Sequence, residues 1–365
     1  MKSVERALKT LALGFFRLFF GREMLAEIPV HLKKPERILA VRSDARMGNL
    51  VFTLPFLTVL RKRFPAAKIS FLTSAQFAEL LKGETFVDEV LAYDKKKVWH
   101  PFYFFGLTSS LRKRRFDWCF DLGSPQSPSF TNSFLCAVAE APVRIAYRNK
   151  YSEVFDNLTF EPAKDMALYE ILLGLLNENS KVQAAASGPF LNLDSCEREV
   201  AMNFFSGVHR PRVGLFVGGR GEKKWELGRW LEVAEKLLMN GCYVCLFYGP
   251  DEADEVEKGK LPGGIRLVPP RPLRQFCAIV SELDLFVSVD TGPLHLASAI
   301  EVPVVGLYFD SDAQRFTPIG KRKIIIQREK DKLEADFVAT TAIGFMRETS
   351  KSNPTVAEPA KEKVG

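Results

Sequence analysis

Short apolar runs alternate along this chain with longer segments whose apolar residues recur every three to four positions. The first pattern predicts buried strands and the second amphipathic helices. Ile38, Leu39, Ala40 and Val41 form a strand, followed by a polar turn over 42–49, a helix over 50–64 stopped by Pro65, and a strand over 69–72. The same order opens again further on. Residues 213–217 are a strand and 218–221 a glycine turn. A helix follows over 227–239, with Trp230, Val233, Ala234, Leu237 and Leu238 on one face. Asn240 and Gly241 end it, and 243–247 is the next strand. Further strands are read at 89–93 and 118–122 in the first half, and at 285–289 and 304–308 in the second.

Apolar strands without strict alternation belong to parallel sheets covered on both faces. The chain is therefore read as α/β, with two Rossmann-like domains over 37–190 and 208–330 facing each other across a cleft. The linker falls within 177–210, where 180–187 is small and polar. A final helix is expected over 335–346, and a disordered tail over 347–365, which holds few apolar residues.

Composition narrows the class. A chain of 365 residues, 47% hydrophobic and with 30 Phe, is too large for one core of usual size and rich enough in apolar bulk to build two. No run of apolar residues is long enough to span a bilayer as a helix. The formal net charge of +7 is too mild to argue for a nucleic-acid partner. Cys242 and Cys245 form a C-x-x-C, but the run around them reads as a buried strand and no second Cys/His pair sits at ligand spacing. Structural thiols in a reducing compartment are the preferred reading. The segment 1–36 opens with a basic stretch: over 1–22, Lys2, Arg6, Lys9, Arg17 and Arg22 face one acid, Glu5, and apolar residues recur at helical spacing. That is either an amphipathic helix lying on an anionic membrane surface, the preferred reading, or a helix packed on its own domain or used in oligomerisation.

Three turns at strand ends carry candidate chemistry, because open α/β sheets bind ligands there. The first, Asp290, Thr291, Gly292, Pro293, Leu294 and His295, runs from a strand into a helix. Its backbone N–H groups and dipole suit a phosphate; Asp290 suits sugar hydroxyls, and His295 phosphate or sugar. The bland alternative is an N-cap with a satisfied histidine. In the second, Gly218, Gly219, Arg220 and Gly221 precede Lys223 and Lys224, either a pyrophosphate clamp or a solvated charge run. It is neither a Walker A loop nor a G-x-G-x-x-G, which argues against a nicotinamide dehydrogenase. The third turn, 44–49, offers Asp44, as a cap or a base, beside Gly48.

Together these blocks resemble the glycosyltransferase family that includes the lipopolysaccharide heptosyltransferases. The carrying residues are Val41 and Arg42 through Met47, Gly48 and Asn49 with Thr53, Leu54 and Pro55; Asp121, Leu122 and Gly123; Gly218 and Gly219 with Lys223 and Trp225; and Asp290 through Ala297, followed by 302–307. The resemblance implies the GT-B fold and a metal-independent, cofactor-free, inverting transfer of heptose from ADP-heptose to a lipid-linked core saccharide. It places the enzyme at the cytoplasmic face of the inner membrane. By the same resemblance, Lys223 neutralises the departing diphosphate, Thr291, Gly292 and Leu294 cradle phosphates, and Asp290 meets the donor sugar. The family's general base is an Asp after a Gly, where this chain reads Gly48-Asn49. An amide is no base, so Asp44 is the candidate. A catalytically silent scaffold that binds nucleotide or glycolipid is the alternative. Arg144 and Arg148, with Arg112, Lys113, Arg114 and Arg115, are either anionic-acceptor contacts or ordinary surface cations.

Overall fold

The computed structural model describes residues 17, 21, 23–98, 100–176 and 188–352. The expected helix over 1–22 (apart from Arg17 and Gly21), the small-residue linker at 180–187 and the tail beyond 352 lie outside the described residues. Two units make up the chain: Met1–Asp194 with Asp312–Ile319, and Ser195–Ser311 with Gly320–Gly365.

In the first unit the order is β1 (Arg37–Arg42), α1 (Met47–Val51), α2 (Leu54–Arg63), β2 (Lys68–Ser74), β3 (Glu89–Tyr93), α3 (Pro101–Lys113), β4 (Trp118–Asp121), α4 (Phe130–Val138), β5 (Val143–Tyr147), β6 (Leu158–Phe160) and α5 (Leu168–Gly174). The strands form one parallel sheet, β3-β2-β1-β4-β5-β6. Register places Ala40 between Phe71 and Phe120, so a small residue accommodates two rings. Leu39, Val41, Leu72, Leu111, Cys119 and Leu135 fill one core of this unit.

The second unit contains α6 (Ser195–Phe204), β7 (Arg212–Phe216), α7 (Leu227–Met239), β8 (Tyr243–Phe247), β9 (Ile265–Val268), α8 (Leu273–Ser281), β10 (Leu285–Val289), α9 (Gly292–Ala299), β11 (Val304–Tyr308), β12 (Lys323–Gln327) and α10 (Ala335–Ser352). Its sheet is also parallel, ordered β12-β11-β10-β7-β8-β9. Counted from each unit's own first strand, the two orders are the same. The direction in which successive strands are added reverses between the first and fourth strands, β1/β4 and β7/β10, which is where doubly wound sheets open a ligand crevice.

Several expectations are corrected. The helix read over 50–64 is two helices, because Pro55 has no N–H to bond back to Val51. Thr53 Oγ1 instead donates to the Leu50 carbonyl at 2.6 Å. The last helix runs to Ser352 rather than ending at 346, held by Val338, Ala339, Ala342 and Met346 against the core of Trp230, Val233 and Leu237. Strands β5, β6, β9 and β12 were not read from the sequence: Arg144 and Arg266 interrupt two of the runs, and the others are very short or flanked by lysine and arginine. Helix α6 joins the second unit through Glu197, which takes two 2.6 Å bonds from Arg274 on α8.

Candidate active site

Strand β10 ends at Val289, and Asp290 follows with its amide bonded to the Leu307 carbonyl at 3.0 Å. Its carboxylate, on a residue only 7% exposed, receives Lys223 Nζ at 2.5 Å and faces His295 Nε2 at 3.0 Å. Burial pushes this carboxyl up, but the hydrogen bonds and charges of His295 and Lys223 outweigh it and bring it down to about 2. Lys223 keeps 38% of its side chain exposed, so its ammonium is anchored without being sealed off.

Thr291 is extended and supplies no side-chain cap to α9. Its hydroxyl turns back to the Val289 carbonyl at 3.2 Å and lies 2.9 Å from Ser288 Oγ. The first-turn amides of Gly292 and Leu294 have no intrahelical acceptor by geometry, and the helix dipole gives them positive character. Pro293 occupies the first turn, where a missing N–H costs nothing. His295 is buried beneath Asp290 rather than presented to solvent, which corrects its expected role as a direct phosphate or sugar contact.

The glycine turn after β7 is tight against itself. A Cβ on Gly219 would lie 2.9 Å from Lys224 Cα and 3.0 Å from the Lys223 carbonyl oxygen, and one on Gly218 2.6 Å from the Phe216 ring. Buried Glu252, which no motif flagged, accepts from Gly249 N at 3.1 Å and Gly219 N at 3.4 Å. Its signal was position alone, just after the end of β8. Of the two lysines expected to form a clamp, Lys223 turns to Asp290 while Lys224 pairs with Glu255 at 2.7 Å. Trp225 is buried edge-on against Trp230, with ring centroids 5.1 Å apart.

In the first unit, Asp44 sits in the turn after β1 with Arg42 Nε 2.5 Å from its carboxylate. Asn49 Nδ2 donates to Asp44 Oδ1 at 3.0 Å, and the Arg46 amide does so at 3.1 Å. Arg42 is itself buried and donates to the Leu122 carbonyl. The turn is tied to β4 through Asn132, which accepts from Ser43 N at 2.9 Å and donates to Asp121 at 3.2 Å. Asp121 also takes Ser133 Oγ at 2.6 Å and Gly123 N at 2.7 Å, and burial raises its carboxyl despite those bonds. Arg315, from the returning segment Asp312–Ile319, donates to Ser124 Oγ and Gln126 Oε1 at 2.7 Å each. Nothing near it in the sequence marked it.

Arg144 is a correction. It lies inside β5, 1% exposed, beside buried Asp156, so no acceptor reaches it. Arg148 is on the surface, paired with Glu161 at 2.8 Å, and Arg114 and Arg112 pair with Glu89 and Glu140. Cys242 and Cys245 are buried, and burial raises both thiols, Cys245 to about 12. Among the described residues no cluster of His, Cys, Asp and Glu could hold a metal, and no helix is long and apolar enough to cross a membrane. A depression of about 990 Å³ lies at the amino ends of the second unit's strands, beside Pro211, Leu283 and Pro303. We do not assign the chemistry there, since the glycine turn and the α9 start stand at the opposite, carboxyl ends.

Residues 104–344 match the family model described as glycosyltransferase family 9 (heptosyltransferase). Lipopolysaccharide heptosyltransferase 1 of Escherichia coli O18:K1:H7 is 22% identical over 334 residues, covering 86% of this chain and 98% of that protein. Among solved structures, a family 9 glycosyl transferase from Veillonella parvula superposes with a TM-score of 0.75 at 20% identity, covering 86% of this chain and 98% of the other. The Escherichia coli ADP-heptose lipopolysaccharide heptosyltransferase II does so at 0.71 and 20% identity, covering 86% and 99%. The paired six-stranded parallel sheets are thus those of the GT-B heptosyltransferases, and the chain belongs to glycosyltransferase family 9, the heptosyltransferase family.

Proposed function

We propose that this glycosyltransferase moves a heptose from ADP-heptose to an acceptor sugar of the lipopolysaccharide core, with inversion at the anomeric carbon. The observation that carries the reading is the meeting of Lys223 with Asp290 at the β7/β10 switch point, two residues before the start of α9, which has no side-chain cap. The amides of Gly292 and Leu294 receive the diphosphate, with Gly218 and Gly219 closing the turn that carries Lys223. As the bond between the sugar carbon and the diphosphate oxygen breaks, charge grows on ADP, and Lys223 stands ready to neutralise it. In this reading protein cations and dipoles supply the countercharge, so no metal or cofactor is required.

Attack also needs a base. The acceptor hydroxyl bonds to the anomeric carbon and gives its proton to a carboxylate. We assign that task to Asp44, which Arg42 and Asn49 hold in one orientation. Arg148 remains available as an exposed contact for an anionic acceptor. The acceptor being lipid-linked, the enzyme would work at the cytoplasmic face of the inner membrane, with residues 1–22 on its surface.

Release of ADP on mixing the full chain with ADP-heptose and heptose-deficient lipopolysaccharide tests the reading, with mass spectrometry of the acceptor expected to show one added heptose. ADP binding without turnover of any ADP-sugar would instead favour the silent scaffold. Absence of both binding and turnover would end the proposal.

A further inference from the structure

Helix α3 carries an outward face that packing among the described residues of the first unit does not explain. Its inner side is committed: Thr108 and Leu111 are buried, and Phe104 stacks on Phe134 with centroids 6.0 Å apart. Phe102 is nevertheless 92% exposed and Phe105 67% exposed. With Ser109, Arg112 and Lys113, also exposed, they fall three to four residues apart and share one stripe. Large apolar side chains this open, one helical turn apart, mark an interaction surface.

Charge says what covers it. Exposed Lys95, Lys96 and Lys97 lie just before the helix, Lys97 3.6 Å from Asp94, and Lys113 and Arg115 at its end are exposed too, while Arg112 is exposed but paired with Glu140 at 3.0 Å. From 94 to 115 the only acid is Asp94. The lysine turn is fixed to the helix by Tyr103, whose hydroxyl accepts from Asp94 N at 2.8 Å. Two aromatics are thus bracketed by cations along a rod of about 20 Å. That is the pattern of a helix lying in the plane of an anionic lipid surface, with rings in the acyl boundary and cations among headgroups. Pairing with a second copy fits poorly, since a twofold contact would set this cationic stretch against itself.

We propose that the exposed face of α3, through Phe102 and Phe105 with the flanking lysines and arginines, docks the first unit onto an anionic lipid bilayer. This goes beyond the transfer reading and is scored without turnover, so the two fail separately. The test is co-sedimentation of the full chain with vesicles of phosphatidylcholine, alone or mixed with phosphatidylglycerol. Phe102→Ser/Phe105→Ser is expected to weaken binding to the mixed vesicles about tenfold or more. Lys95→Gln/Lys96→Gln/Lys97→Gln should weaken it by a similar factor, and salt should reproduce that loss in the wild type. Ser109→Glu, on an exposed position of the same stripe, guards against a folding artefact and should also reduce binding, with the melting temperature unchanged. Undiminished binding by all three variants would overturn the proposal. So would a wild-type dimer that Phe102→Ser/Phe105→Ser turns into a monomer while vesicle binding stays the same.

Discussion

Lys223 and Asp290, 67 residues apart in sequence, join at 2.5 Å beyond the carboxyl ends of the neighbouring first and fourth strands of the second sheet. The pair links the glycine turn to the start of α9, so the ammonium we assign to the departing charge is held by a buried carboxylate. Lys223→Met should lower kcat about a hundredfold or more with a smaller change in KM, because its charge is needed most when the diphosphate leaves. Steady-state ADP release checks this. An unchanged kcat would remove Lys223 from the reaction.

The same pair makes stability depend on pH. The Asp290 carboxyl stands near 2 in the folded chain, against an ordinary 3.8. The folded state therefore binds fewer protons than the unfolded one, and the benefit is complete above about pH 4 and lost as pH falls towards 2. It amounts to ~2 kcal/mol. Urea unfolding of wild type and Asp290→Asn should differ by about that amount near neutrality and converge in acid.

If Asp44 takes the acceptor proton, Asp44→Asn should reduce kcat about a hundredfold or more, measured as steady-state ADP release. Asn49→Asp sets a second carboxylate where an amide now donates to Asp44 at 3.0 Å. Two carboxylates side by side repel, so that variant should be less stable than the wild type near neutral pH. A several-fold faster Asn49→Asp enzyme together with a fully active Asp44→Asn enzyme would reassign the base.

Gly219→Ala drives a methyl into the backbone of Lys223 and Lys224. We expect a loss of ~1–3 kcal/mol in stability and a fall in kcat/KM as Lys223 is displaced. Gly228 has nothing within 4 Å of its added carbon. Gly228→Ala should therefore be neutral, or stabilise by a few tenths of a kcal/mol, in the same thermal melts.

Arg144→Met removes a buried charge beside Asp156. It should cost about 3 kcal/mol of stability while leaving the acceptor KM of the folded enzyme unchanged. Arg148→Ala, at an exposed pair with Glu161, should cost less than about 1 kcal/mol. A large rise in acceptor KM from the Arg144 change alone would restore its place as a substrate contact.

The strands at 89–93, 243–247, 285–289 and 304–308 and the helix at 227–239 were legible to the residue. Burial on both faces of a parallel sheet writes an uninterrupted apolar run, and a core-facing helix writes a stripe. The α/β class, the repeated order of elements and the strand-end turns at Asp44, Gly218 and Asp290 followed from those local patterns. Side-chain direction did not. Lys223 and Lys224 are neighbours and equally cationic, yet one anchors to Asp290 and the other to Glu255, because the turn points them apart. Arg144 and Arg148 looked alike until β5 took one inward. Glu252 meets Gly219, and Arg315 meets Ser124, only when segments distant in sequence are brought within 3.5 Å, whereas His295 reaches Asp290, five residues back, only because the first turn of α9 points it inward. Local periodicity is a property of the chain itself, whereas hydrogen bonds and charge pairs depend on distances that exist only once the sheet has ordered its strands.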